Sequence, residues 1–571
     1  MMRKKKRSSI TVDDDSTLDV PKSKKTKSSG RPTKSSVQDS YPDSVFVQFL
    51  KESGVTLTAG STANEIAVDQ VIFQKRLQQQ LRKHPRFPNI IQEFISALET
   101  YIEDPERFRN CLLPCVPSST SQQDANSGSY QESLVRLLLG IEMLQTQVIN
   151  TLFEKLPEFM FEGVSEDGLN VPRLIINQLK WLDRIVDGKD LSSKLMQMVS
   201  VAPVEIQRDI ITSLPEILED SQHGDIAKEL NALLQQNTQL PVPILDALSS
   251  LNLSSALLSE VRDVVMGTLS AVQLEDLPVI VKFILHSISA SDANEVVCDL
   301  RKKLELEQCV LPAVLQASQS RMKSKAMSGS SRVPSCNNGQ DSVALVLEVI
   351  KSAIRFQKTI SEAWLKAIEN VDESDDHKVV DLLVLFILHS TNANHSRRGA
   401  ERVLRVKVRK GLIQENLLQK TFKGHAQVMR GYFPSILALA QGLLRSPDCC
   451  VVSFGGHMYK QAFTAFDSYC QQEVVGSLVT HACSGVSGEV DVALELLCEL
   501  VSQKPAEMSQ FTVFVKGILD YMDNLTSQQI RRLFHLLSCL AFGQEQHGGH
   551  IQVRNTLHLK GIVVIFFFFF S

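Results

Sequence analysis

Two tryptophans and 27 glycines in 571 residues are little material for a sheet-rich sandwich. Alternation of Val, Thr and Tyr at period two is scarce as well, so an all-β class is excluded. Also missing are the phosphate-cradling pattern G-x-x-x-x-G-K-[ST], a G-x-G-x-x-G between strand and helix, and the H-E-x-x-H pair of zinc hydrolases. The 13 His are scattered, and no Ser, Cys or His is paired as nucleophile and base, so an enzyme is not expected. The cysteines (Cys111, Cys115, Cys298, Cys309, Cys336, Cys449, Cys450, Cys470, Cys483, Cys498 and Cys539) include no C-x-x-C pair, which argues against zinc and leaves no cofactor implied. Their odd number, with no secretory signal, points to a reducing compartment. Net charge is only −4, so no global field draws the chain to nucleic acid, and any such contact must be a local patch.

What the chain does have is Leu-rich segments of helical period. A chain this long exceeds one hydrophobic core, so several domains or a repeat array are expected. Around 172–223, Leu174, Ile175, Leu179 and Leu182 recur at helical spacing, as do Leu191, Leu195, Met198 and Val199, with Pro203 and Pro215 as punctuation. Leu-Pro recurs with Pro157, Pro215 and Pro278, too unevenly for a strict repeat but compatible with a degenerate one. Earlier, 67–83 reads as a helix with Val68, Val71, Ile72 and Leu81 on one side, and 90–103 as another with Ile91, Phe94, Ile95, Leu98 and Ile102. Helical period returns at 343–354, 379–388, 433–444 and 490–501. The fold class is therefore all-α, an extended α-solenoid of degenerate HEAT/ARM-like repeats.

Composition divides the chain. Residues 1–43 are poor in apolar side chains and expected to be disordered; 44–316 form a first helical half, and 343–550 a second. Between the halves, 317–342 is rich in Ser, Gly, Lys and Arg and reads as a flexible loop, as does 114–130; 551–571 is a hydrophobic tail. In the N-terminal tail, Arg3, Lys4, Lys5, Lys6 and Arg7 are followed, after 14 intervening residues, by Lys22, Lys24, Lys25 and Lys27. Two basic clusters at that distance fit a bipartite import signal read by an importin, which predicts a nuclear protein. Gly455-Gly456-His457 and Gly548-Gly549-His550 read as loops, and His286 and His389 as helix C-terminal residues.

One basic segment stands out. At 100° per residue, Arg398, Arg402, Arg405 and Arg409 fall within an arc of about 60°, with Ala400, Val403 and Leu404 opposite. This is a basic stripe on a docked helix, suited to DNA phosphates. Glu401 is the one acid among these residues, and a solvated face balanced by acids of a neighbouring repeat is the competing reading.

The segments QLKWLDRIVDGKDL, DIITSLPEIL followed by DSQH, LEDLPVIVKFILHS (274–287), KTISEAWLKAIEN (358–370) and CQQEVVGSLVTH (470–481) resemble the Fanconi anaemia group D2 family of vertebrates. The resemblance runs almost continuously from about Ser44 to about Gln552 and covers the N-terminal part of a longer family protein. It implies a non-enzymatic DNA-repair scaffold that pairs with a paralogue, the Fanconi anaemia group I protein, to clamp double-stranded DNA in interstrand crosslink repair. It also implies that Ser221, in Ser221-Gln222, is a target of DNA-damage checkpoint kinases, with Ser318 of Ser318-Gln319 a second candidate. The family's ubiquitin-acceptor lysine stands before Leu-Ile-Gly-Ile-Ile-Gly; Lys560 lacks that context, so the role is not carried over. The apolar run from Gly561 to Phe570 is half the length of a bilayer-spanning helix, so no membrane partner is expected, and the run is an aggregation liability. A helical-repeat adaptor that binds only proteins is the alternative function.

Overall fold

The computed structural model of the chain describes residues 44–58, 63–117, 131–161, 170–237, 239–309 and 338–542. The first helix among the described residues is Val45–Ser53, where the Ser44 hydroxyl accepts from the Val47 N–H and Gly54 ends the helix at φ 107°. The helix expected at 67–83 runs Gln70–Lys83, with Asp69 as its cap. Its buried side differs from the sequence reading: Phe73, Leu77 and Leu81 face inward, while Val71 and Ile72 are exposed. Spacing of four residues from Phe73 aligns three large side chains, and that stripe wins the core. The helix Asn89–Tyr101 buries Ile90, Phe94, Ile95 and Leu98.

A short sheet interrupts the helices. Strands β1 (Val55–Thr56) and β2 (Glu65–Ile66) pair antiparallel, and β2 pairs parallel with β3 (Val116–Pro117). Strand β3 lies inside the segment read as a loop from residue 114; the Val116 N–H finds its acceptor in the Asn64 carbonyl at 2.8 Å.

From residue 171 the helices stack in two rows. One row holds Val171–Leu179, Val204–Ile217, Pro241–Ser250, Leu277–His286, Asn338–Phe356, Val379–Ser390, Glu415–Met429, Cys449–Ala465, Ser487–Gln503 and Ser527–Phe542, each packed on the next. Between them run the helices of the other row, among them Lys358–Glu369, Asn394–Arg409 and Phe433–Leu444. Contacts run between each first-row helix and the next, and between chain neighbours such as Val379–Ser390 with Asn394–Arg409 and Phe433–Leu444 with Cys449–Ala465, which is the packing of an α-solenoid. Helix starts in the first row recur at Val204, Pro241 and Leu277, and again at Val379, Glu415, Cys449, Ser487 and Ser527. The Leu-Pro pairs do not mark this repeat: Pro157 and Pro215 sit near helix C-termini, whereas Pro278 is in a first turn.

Three further expectations are corrected. The helix Val171–Leu179 ends before Leu182, because the chain turns at Trp181, whose backbone is left-handed at φ 54°. Arg136 holds that turn by donating to the carbonyls of Gln178, Lys180 and Trp181, while the Trp181 N–H donates to the Glu216 carbonyl. Gly455 and Gly456 are not a loop but lie inside the helix Cys449–Ala465. A Cβ on Gly455 would stand 3.1 Å from Leu443 Cβ, and one on Gly456 3.0 Å from Leu496 Cδ2, so both glycines let helices approach closely. Helix Asn338–Phe356 begins within the segment read as loop to residue 342. It packs on Leu277–His286, so the array continues across that segment.

A basic helix face as candidate nucleic-acid interface

The helix Asn394–Arg409 mixes good helix formers (its arginines, Ala400, Glu401, Leu404 and Lys407) with three Val and Gly399, and closes on a tight C-terminal motif. Gly411 adopts φ 71°, its N–H donates to the Val408 carbonyl at 3.0 Å, and the Leu412 N–H donates to the Lys407 carbonyl at 2.9 Å. Ser396, Ala400, Val403, Leu404, Lys407 and Val408 face inward. At Gly399 a Cβ would be 2.6 Å from Leu365 Cδ1, so the helix Lys358–Glu369 lies close against it, and Ser396 Oγ meets Ser361 Oγ at 2.7 Å.

The docked face expected from Ala400, Val403 and Leu404 is therefore observed, with one change. Lys407, a basic residue between Arg405 and Arg409, is 2% exposed and donates its ammonium to the Val371 carbonyl. Desolvation, helped by the charges of Lys410 and Arg301, holds its pKa below the usual lysine range against the pull of Asp372 and Glu369. It belongs to the packing, not to the stripe.

On the outer face the four arginines differ. Arg398 is exposed and has no ion pair or hydrogen bond among the described residues. Arg402 is exposed and its Nη2 lies 3.4 Å from Glu369 Oε1. Arg405 is half-buried, with a buried Nε that meets no acceptor. Arg409 Nη2 lies 2.7 Å from Asp448 Oδ2, an ion pair in which that oxygen lacks hydrogen-bond geometry. The helix's own acid is drawn aside: His389 Nε2 stands 3.1 Å from Glu401 Oε1, and Arg397 Nε donates to the His389 carbonyl. Burial keeps the His389 pKa below the usual imidazole value despite Glu401, so the neutral ring donates from Nε2. Glu369 and Asp448 went unseen in the sequence because each lies about one repeat away, and no local pattern marks which acid the stacking brings near.

Ser221 is exposed in the first turn of the helix Asp220–Gln236. The N-cap is Glu219, whose carboxylate accepts from the Ile185 N–H, so Ser221 is not the capping residue. Its hydroxyl stands near the helix N-terminus, where the dipole favours an added phosphate. Arg3, Lys4, Lys5, Lys6, Arg7, Lys22, Lys24, Lys25, Lys27, Ser318 and Lys560 lie outside the described residues.

The family model described as Fanconi anaemia protein FancD2 nuclease matches residues 1–562. The Fanconi anemia group D2 protein of Gallus gallus is 54% identical over 510 residues, 89% of this chain and 35% of that protein. The homologue from Mus musculus is 52% identical over 517 residues, 90% of this chain and 35% of its own length. The homologue from Drosophila melanogaster is 19% identical over 528 residues, 91% and 34% of the two. The chain thus spans about a third of the curated relatives it matches (35% of the first two). Among solved structures, a chain from work on the phosphorylation switch between cadherin and beta-catenin is 12% identical, covering 85% of this chain and 95% of that one with a TM-score of 0.21. Another, from work on Kap95p binding to RanGDP, is 10% identical over 90% and 73%, again with a TM-score of 0.21. Likeness at that level carries no argument, and the fold rests on the helix packing above.

Proposed function

The chain belongs to the Fanconi anaemia D2 family, and we propose from this that it is a non-enzymatic helical scaffold of Fanconi anaemia DNA repair. In this reading it enters the nucleus through an importin, pairs with the paralogous Fanconi anaemia group I protein, and lies along double-stranded DNA in interstrand crosslink repair. The observation that carries the DNA part is the one-sided helix: four arginines outward, an apolar face docked, and Glu401 turned to His389. Phosphate contacts need such a row of cations on a rigid element. The family description includes the word nuclease.

The test is duplex binding by the full chain across a salt series. Replacing Arg398, Arg402, Arg405 and Arg409 with Glu should weaken binding to all sequences alike and lower the logarithmic salt slope by about three to four. An unchanged slope in a folded variant would assign the face elsewhere. The second reading, an adaptor for proteins alone, draws support from the two ion pairs that already occupy Arg402 and Arg409. Under the first reading Ser221 is also a checkpoint-kinase target, its exposure in a first helical turn being the support. Phosphopeptide mapping after DNA damage should find it occupied; an unmodified Ser221 removes that part.

A further inference from the structure

Glu369 and Asp448 both sit at helix ends, the first against the helix dipole and the second with it. Glu369 is the last residue of Lys358–Glu369, at the end where the dipole disfavours a carboxylate. Asp448 occupies the N-cap of Cys449–Ala465 but makes no side-chain capping bond there. Both side chains instead reach arginines of the basic stripe, at 3.4 Å and 2.7 Å. Pairs this exposed contribute about 0–1 kcal/mol to stability, so holding the fold together is a poor explanation for them.

We propose that Glu369 and Asp448 are built-in competitors for phosphate, which set the DNA affinity of the stripe by occupying Arg402 and Arg409 until a duplex displaces them. This rests on the DNA reading above. Phosphate shares the charge and acceptor oxygens of a carboxylate, so both compete for the same guanidinium edge. A carboxylate left beside an incoming phosphate also repels it. Arg398, which has no acid to displace, is then the point of first contact, and Arg402 and Arg409 engage at a cost.

The experiment measures duplex affinity of the full chain by fluorescence anisotropy in low and moderate salt, with circular dichroism confirming helicity. Three proteins are compared: wild type, Glu369→Gln with Asp448→Asn, and the four-arginine charge reversal. Removing the two acids should tighten binding about fivefold for each, with the gain shrinking as salt rises. Both changes are nearly isosteric, and Asn caps helices as well as Asp does. If the charge reversal weakens binding while the acid variant binds no better than wild type, the competitor role is overturned and the DNA reading stands. If the charge reversal changes nothing, the DNA reading falls and takes the competitor role with it.

Discussion

Arg301 and Asp381 are 80 residues apart in sequence and meet in the core as a bidentate pair, with Nε to Oδ1 at 2.7 Å and Nη2 to Oδ2 at 2.6 Å. His377 Nδ1 adds a third contact to Oδ2 at 2.8 Å, the Lys378 N–H a fourth, and Arg301 also donates to the Asp376 carbonyl. Burial by itself would raise the Asp381 pKa, but the hydrogen bonds from His377 and Arg301, with Arg301's charge, outweigh it and hold the carboxyl below its usual range. A lowered carboxyl pKa stabilises the fold above its unfolded value of about 3.9 and loses that contribution as pH falls through the lower folded value. Removing one partner leaves a buried charge alone, so Asp381→Asn or Arg301→Met should each destabilise by about 3–5 kcal/mol. The Arg301→Met, Asp381→Asn double variant should cost less than the two single changes together. Urea unfolding checks this; costs that simply add would show that the pair is not coupled. None of this was legible in the sequence, where Arg301 reads as one of three basic residues in a row, and the left-handed Trp181 was equally hidden. Both depend on contacts from other repeats.

Helices as elements were far easier to read than helix faces. The runs at 343–354, 379–388, 433–444 and 490–501 all lie in observed helices, because Leu, Ile and Val at helical spacing leave no competing period. Faces failed where two apolar stripes competed, as in Gln70–Lys83, or where the array has more than one buried side. The helix Val379–Ser390 is buried at every position from Val379 to His389, and a helix enclosed on all sides has no face to find. Gly455 and Gly456 were misread for a related reason: glycine signals a turn locally, yet here it serves close approach between helices. For the candidate interface, angular position on the helix was enough to separate the arginines from Ala400, Val403 and Leu404. It could not reveal that Lys407 donates into the array or that Glu369 and Asp448 reach the stripe, since both follow from how the rows stack.

For the whole molecule, stacking two rows of helices buries polar side chains that a single small domain would keep wet, and four histidines record this. His389, His425, His457 and His481 all have pKa values below the usual imidazole value, with desolvation the largest cause in each. Glu401, Glu415 and Glu489 stand beside three of them and pull the other way, without prevailing. His481 shows why: it is 1% exposed and also bonded to Tyr459, so its protonated form would lose most of its hydration. The sign follows from linkage. These groups are neutral in the fold, whereas the unfolded chain binds protons at about pH 6.5. Stability is then complete above that pH and declines as pH falls below it towards the lowered folded values. The thermal midpoint should therefore drop between pH 7.5 and pH 5.5, well above the acid range in which Asp381 titrates. His481→Gln, which keeps a donor and an acceptor without the charge, should flatten part of the slope. A midpoint that holds steady or rises over this range would mean that water reaches these rings and that the rows are looser than their packing indicates.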